Sequence, residues 1–188
     1  MAFIRIIEKV DASPELEVLY ARVGNPDGSV DNVMKMHGLN PESLRTHFEM
    51  YIAAMHKPSP LSRAEREMVA VSVSRLNGCN YCLTHHTRGL ERLLAGERKG
   101  VALALAGGDA SSLTPRERAL IDYARKLTQR PAEMDDEDVE RLREAGHDDR
   151  AILDLAQCIG YFNYVNRMVT GLGVRLGDSE GEAGQWPQ

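Results

Sequence analysis

Residues 68–73 carry apolar or small side chains at nearly every position, and no other feature constrains the fold of this chain as strongly. Ser62, followed three residues later by Glu65, makes a capping box, and Asn77 with Gly78 supplies a stop, so the stretch reads as one helix. A helix that is apolar nearly all round has no face for water and must be surrounded by other elements. Those elements read as helices too. Pro41 opens one carrying Leu44, Phe48, Tyr51, Ile52 and Met55, and another is expected over about 80–94. Thr114-Pro115-Arg116-Glu117 is a second capping box, leading into Leu120, Ile121, Tyr123, Ala124 and Leu127 before Pro131. The acidic run 135–138 suits a helix N-terminus, with Gly146 as its stop. Ile152, Leu155, Ile159, Phe162, Val165 and Val169 recur at helical spacing over about 148–170. No pair of alternating strands is separated by a hairpin signal, so the fold class is all-α.

The expected organisation is a single helical domain over 1–176. Residues 1–40 form an N-terminal arm with a short helix bearing Leu16, Leu19, Tyr20 and Val23, and 177–188, rich in Gly, Ser, Glu, Gln and Pro around Trp186, form a flexible tail. A weak repeat relates 61–66 to 113–118, but no cysteine pair follows the second copy. The chain has 188 residues, is 43% hydrophobic and carries a formal charge of −5, which fits an ordinary globular domain. Its acidic balance lacks a basic stripe and argues against a nucleic-acid partner. No apolar run nears the roughly 20 residues that span a bilayer. Residues 1–11 alternate Ile4, Ile6 and Ile7 with Arg5, Glu8 and Lys9, unlike a secretory signal. With three cysteines, an odd number, the expectation is a cytoplasmic protein without a disulfide scaffold.

The most informative segment is Gly78-Cys79-Asn80-Tyr81-Cys82-Leu83-Thr84-His85-His86, with two thiols and two imidazoles at the opening of a helix. Cysteines three apart on one turn have α-carbons within disulfide range and can cycle between dithiol and disulfide. The helix N-terminus favours thiolate over thiol and is expected to lower a cysteine pKa. His86, four residues beyond Cys82, and His85, three beyond, both lie where an imidazole could take the thiol proton. Inert core burial and zinc binding are the alternatives. Cys158 stands alone in an apolar helix, and His37, His47, His56 and His147 show no paired spacing that would complete a metal site. Leu83, where covalent haem needs histidine, excludes that group.

Glu67 stands at the edge of the apolar run, where partial desolvation would suit it to proton transfer and where its plain alternative is a solvent-facing helix residue. In a plain antiparallel hairpin turning near Asn80, it lies about six residues, ~9 Å, further from the turn than His86. Contact between them would then need a steep crossing or a water.

Glu67, then Cys79-Asn80-Tyr81-Cys82 twelve residues on, then His86, resembles the alkylhydroperoxidase AhpD core of the carboxymuconolactone decarboxylase-like superfamily. Leu61-Ser62-Arg63 and Asn163-Tyr164-Val165-Asn166-Arg167-Met168 with Leu172-Gly173-Val174 are most similar to its peroxidase-related branch. The resemblance implies an all-helical fold with a helical hairpin carrying the cysteine pair, assembling as a homo-oligomer, commonly a trimer or hexamer. It also implies a peroxidase needing no haem, metal or other cofactor. By position Cys82 attacks a hydroperoxide, Cys79 resolves the sulfenic acid, Glu67 and His86 relay the proton, and a dithiol protein is the reductant. Tyr81 departs from the family prototype, which has histidine there. The alternatives are a carboxymuconolactone decarboxylase-like enzyme on the same fold and a non-catalytic redox sensor.

Overall fold

The computed structural model describes residues 2–176, and among these it has nine α-helices, three short 3-10 turns and no strand. The helices are α1 (Pro14–Val23), α2 (Asn32–Lys35), α3 (Pro41–Met55), α4 (Arg63–Leu76), α5 (Asn80–Leu93), α6 (Gly100–Gly107), α7 (Pro115–Gln129), α8 (Asp136–Glu144) and α9 (Asp149–Gly171). None is long and apolar enough to cross a membrane. The tail expected over 177–188 lies outside the described residues. Two compact units divide the chain, one running to Ala53 and returning from Met168, the other spanning Ala54–Arg167.

In the first unit, local polar contacts tie down the segment read as an arm. The buried Tyr20 donates its hydroxyl to the Ile7 carbonyl at 2.8 Å, and the Phe3 amide donates to the Leu172 carbonyl at 2.8 Å. Asn25 donates to Asp31 at 3.0 Å inside the turn between α1 and α2. Leu16, Tyr20, Val23, Met34 and Leu44 are buried around these contacts. His37 and His47 are buried with their rings 4.4 Å apart.

The second unit is organised by α4. Its capping box is closed in both directions, Glu65 N–H to Ser62 Oγ at 3.1 Å and Ser62 N–H to Glu65 Oε2 at 2.7 Å. Every residue from Glu65 to Ser74 is buried, as an all-round apolar helix requires, and α5, α6 and α7 pack against it. The Thr114–Glu117 box opens α7, and Asp135 with Asp138 closes a third box at the start of α8. Arg116 on α7 donates from Nε to the Glu65 carboxylate at 2.9 Å, so the first turns of the two repeated segments are joined directly. Cys158 is fully buried on α9 with its sulfur 3.8 Å from Met55 Sδ, a core thiol as expected.

The short helices α2 and α6 were not expected. In α6 the sequence Gly-Val-Ala-Leu-Ala-Leu-Ala-Gly offers no cap and no clear apolar period, and its glycines read as turns. Burial of Val101, Ala102 and Leu105 makes the helix, and Gly108, at φ 95°, ends it in the left-handed conformation.

Burial, the leading cause in each case, lowers the pKa of His37 to about 4 and of His47 to about 3 in the first unit, and of His56 and His85 to about 4 in the second. The unfolded chain takes up these protons near 6.5, the ordinary histidine value, while the folded chain refuses them until the pH is much lower. Stability therefore falls as pH drops from 6.5 toward 4. Denaturant unfolding should show a lower midpoint at about pH 5 than at about pH 7. An equal or higher midpoint at the lower pH would mean that the folded protein holds these rings charged.

Candidate active site

The turn between α4 and α5 sets the cysteines. Asn77 caps α4, and Gly78 adopts φ 66°, a left-handed conformation that glycine takes without strain. The Gly78 amide donates to the Arg75 carbonyl at 3.1 Å and the Cys79 amide to the Ser74 carbonyl at 2.9 Å, the two bonds of a Schellman motif. Cys79 is thus fixed by the end of one helix while it serves as N-cap of the next. Cys82 follows in the first turn of α5. Both are free thiols, 2% and 3% exposed, and their side chains are hydrogen-bonded to each other.

The helix terminus alone does not decide the state of the Cys82 thiol. Its pKa stands well above the ordinary value, raised first by the hydrogen bond with Cys79 and then by burial, while the Asn166 side chain acts in the opposite direction. The expectation of a thiol pKa lowered at Cys82 is therefore corrected. Two adjacent sulfurs in an apolar surround outweigh the partial positive charge of one helix end.

Glu67 is not the solvent-facing residue of its plain reading. It is 5% exposed, and its Oε2 accepts from His86 Nδ1 at 2.6 Å. The helices therefore do not lie as a plain antiparallel hairpin, and no water is needed to join the pair. Close approach is allowed by Gly89 in mid-helix, where an added Cβ would stand 3.3 Å from the Glu67 carboxyl carbon and Oε2. On the other side Arg63 donates to Glu67 Oε1 at 3.3 Å and, through its second terminal nitrogen, to His56 Nδ1 at 2.7 Å. Burial works to keep the Glu67 carboxyl protonated, but the charge and hydrogen bond of His86, then Arg63, prevail and bring its pKa below the ordinary carboxylate value.

An ionised Glu67 can only accept, so His86 Nδ1 carries a proton in either state of the ring, and whenever the ring is neutral Nε2 offers its lone pair. The Phe162 ring holds the imidazole edge-on at 4.6 Å. His85 takes another course, tilted against Tyr81 at 4.7 Å with a buried Nε2 that has no hydrogen-bond partner. Of the two histidines that the spacing allowed, His86 is the one paired with the carboxylate. The described residues contain no group of three or more His, Cys, Asp or Glu arranged to hold a metal ion. Arg63, His56, Gly89 and Asn166 join the site without having been singled out as site residues. Arg63 and Asn166 stood only inside the segments that carry the resemblance, and for Gly89 the signal was a glycine between Arg88 and Leu90, costly inside a helix.

The carboxymuconolactone decarboxylase family matches residues 41–126, a span that contains Glu67, Cys79, Cys82 and His86. The chain is similar to a peroxidase-related protein from Ralstonia eutropha JMP134, an alkylhydroperoxidase AhpD core, at 30% identity and a TM-score of 0.86 over 100% of this chain and 98% of that one. A peroxidase-related protein from Silicibacter sp. TM1040 is 32% identical, with a TM-score of 0.78 over 91% of each chain. The debrominase Bmp8 shares the fold, at 20% identity and a TM-score of 0.76 over 92% of this chain and 91% of its own.

Gly89→Ala separates the fold from the site. Helix propensity favours alanine by about 1 kcal/mol and offsets the crowding, so the unfolding free energy should stay within about 1 kcal/mol of the parent. The displaced Glu67 carboxyl, followed by carbon NMR, should titrate nearer to the ordinary carboxylate value. An unchanged Glu67 titration would show that α5 does not press on it.

Proposed function

The chain belongs to the carboxymuconolactone decarboxylase-like superfamily that includes the alkylhydroperoxidase AhpD core, and within it we propose a thiol-based hydroperoxide reductase. The observation that carries this reading is the direct bond between a buried, ionised Glu67 and His86, one helical turn beyond a pair of touching thiols.

The resting Cys82 is a thiol and needs a base. His86 Nε2 takes its proton, and Glu67 stabilises the imidazolium that forms. The Cys82 sulfur attacks one oxygen of the hydroperoxide, the O–O bond breaks, and the leaving alkoxide takes a proton from His86. The products are an alcohol and a Cys82 sulfenic acid. Cys79 attacks that sulfur next. The S–O bond breaks, water departs with the Cys79 proton, and a disulfide closes without any change of helix. An external dithiol supplies two electrons and two protons by thiol–disulfide exchange and restores the pair. The reductant fits a dithiol protein, and assembly as a trimer or hexamer in the cytoplasm belongs to the same proposal.

The thiol pair argues against decarboxylase chemistry as the main activity, because Glu67 and His86 could abstract a substrate proton without any sulfur. A non-catalytic redox sensor would share the oxidation but would not turn over.

A dithiol-coupled hydroperoxide assay tests the reading. Cys82→Ser should abolish turnover, Cys79→Ser should stop at a trappable Cys82 sulfenic acid, and Glu67→Gln should lower kcat/KM by about 10²-fold, the usual worth of a general base. Full turnover in Cys82→Ser would refute the mechanism, and one round of oxidation without recycling by any dithiol would favour the sensor.

A further inference from the structure

We propose that Asn166 is a further residue of the thiol site, donating its side-chain amide to the Cys82 sulfur, and that Asn77 is the positioning residue that fixes which end of that amide faces the sulfur. The inference deepens the preceding reading and rests on it for the identity of Cys82 as the reacting sulfur.

Asn166 lies on α9 and is 1% exposed, so both ends of its amide must find partners inside the protein. Its Oδ1 accepts from Asn77 Nδ2 at 3.0 Å, and its Nδ2 donates to Ser74 Oγ at 3.2 Å. An amide nitrogen has two hydrogens; Ser74 takes one, and the Asn166 side chain stands near enough to Cys82 to favour its ionised form. Turning the amide over would set its NH2 against the NH2 of Asn77 and leave Oδ1 against the sulfur, so the Asn77 bond selects the donor orientation.

Asn77 is itself held. Its Nδ2 has a second acceptor in Asn163 Oδ1 at 3.1 Å, which uses both of its hydrogens. Asn163 in turn donates to Thr128 Oγ1 at 3.2 Å and to the Ile159 carbonyl at 3.1 Å, while Arg167 donates to Asn163 Oδ1 at 2.9 Å. Asn163 and Asn166 stand three apart on one face of α9, and both present oxygen to the α4 cap. The result is an ordered set of amides running from α7 through α9 and the end of α4 to the Cys82 sulfur.

An N–H aimed at sulfur favours thiolate over thiol. Around Cys82 the Cys79 thiol and burial oppose ionisation, and Asn166 is the neighbouring side chain that favours it. Its amide would receive the charge that forms when His86 removes the proton, and it is fixed before the charge appears.

Alkylation of Cys82 by iodoacetamide across pH, read by peptide mass spectrometry on the full chain, tests this without a peroxide. Asn166→Ala should slow alkylation at neutral pH about tenfold and move the profile up by about one pH unit. Asn77→Leu, which adds no charge and removes the bond to Asn166 Oδ1, should shift the profile in the same direction. Asn77 is only half-buried, so this variant carries the test if Asn166→Ala does not fold. Profiles of the folded variants that superimpose on the parent would overturn the proposal, and a shift confined to Asn166→Ala would overturn the part assigned to Asn77. A parent chain that shows these shifts but reduces no hydroperoxide would refute the peroxidase reading and leave Asn166 as a ligand of the sulfur.

Discussion

A carboxylate buried at the head of an apolar run is costly unless paired, and the bond that satisfies Glu67 organises the candidate site. Glu67 sits at the head of a run that is buried on every side, where an unpaired charge would cost several kcal/mol. His86 reaches it from α5, Arg63 from the preceding turn of its own helix, and Gly89 keeps the space above it clear. Each of these features destabilises the helix that carries it or ties up a side chain. Their common effect is to hold one imidazole in one orientation, one helical turn beyond Cys82 along α5. Such local penalties concentrate where a fold supports chemistry.

The thiols meet a similar conflict. The N-terminus of α5 favours negative charge, while burial and the neighbouring sulfur oppose it at Cys82. A thiol protonated at rest resists casual oxidation, and its reactivity then depends on a base that is already oriented. In the proposed mechanism that dependence links the Glu67–His86 bond to the cysteine chemistry.

Most helix boundaries were legible because they are encoded locally. Ser62 with Glu65, Thr114 with Glu117 and Pro41 each mark a helix start within one turn, and the all-round apolar character of 68–73 forecast the burial of α4. The short α6 was hidden because packing rather than capping or periodicity creates it. Within the site, the residue types and spacing were readable, but distances were not. Counting backbone rise along a plain hairpin separated Glu67 from His86, since it ignored the close approach that Gly89 permits. Asn166 is nearly ninety residues from the α4 cap that orients it, and no local pattern announces a hydrogen bond of that span. Burial likewise reversed the expected direction at Cys82, because a helix-end argument uses sequence position and contains no neighbouring sulfur.

Ionised Glu67 should hold the neutral His86 ring with its proton on Nδ1 and its Nε2 lone pair free. Nitrogen-15 NMR of the imidazole, recorded where the ring is neutral, reads this arrangement directly. A protonated Nδ1 and an unprotonated Nε2 are expected in the parent chain, with that preference weakened in Glu67→Gln. A neutral His86 carrying its proton on Nε2 would contradict it, because the ring would then have no free lone pair for the Cys82 proton.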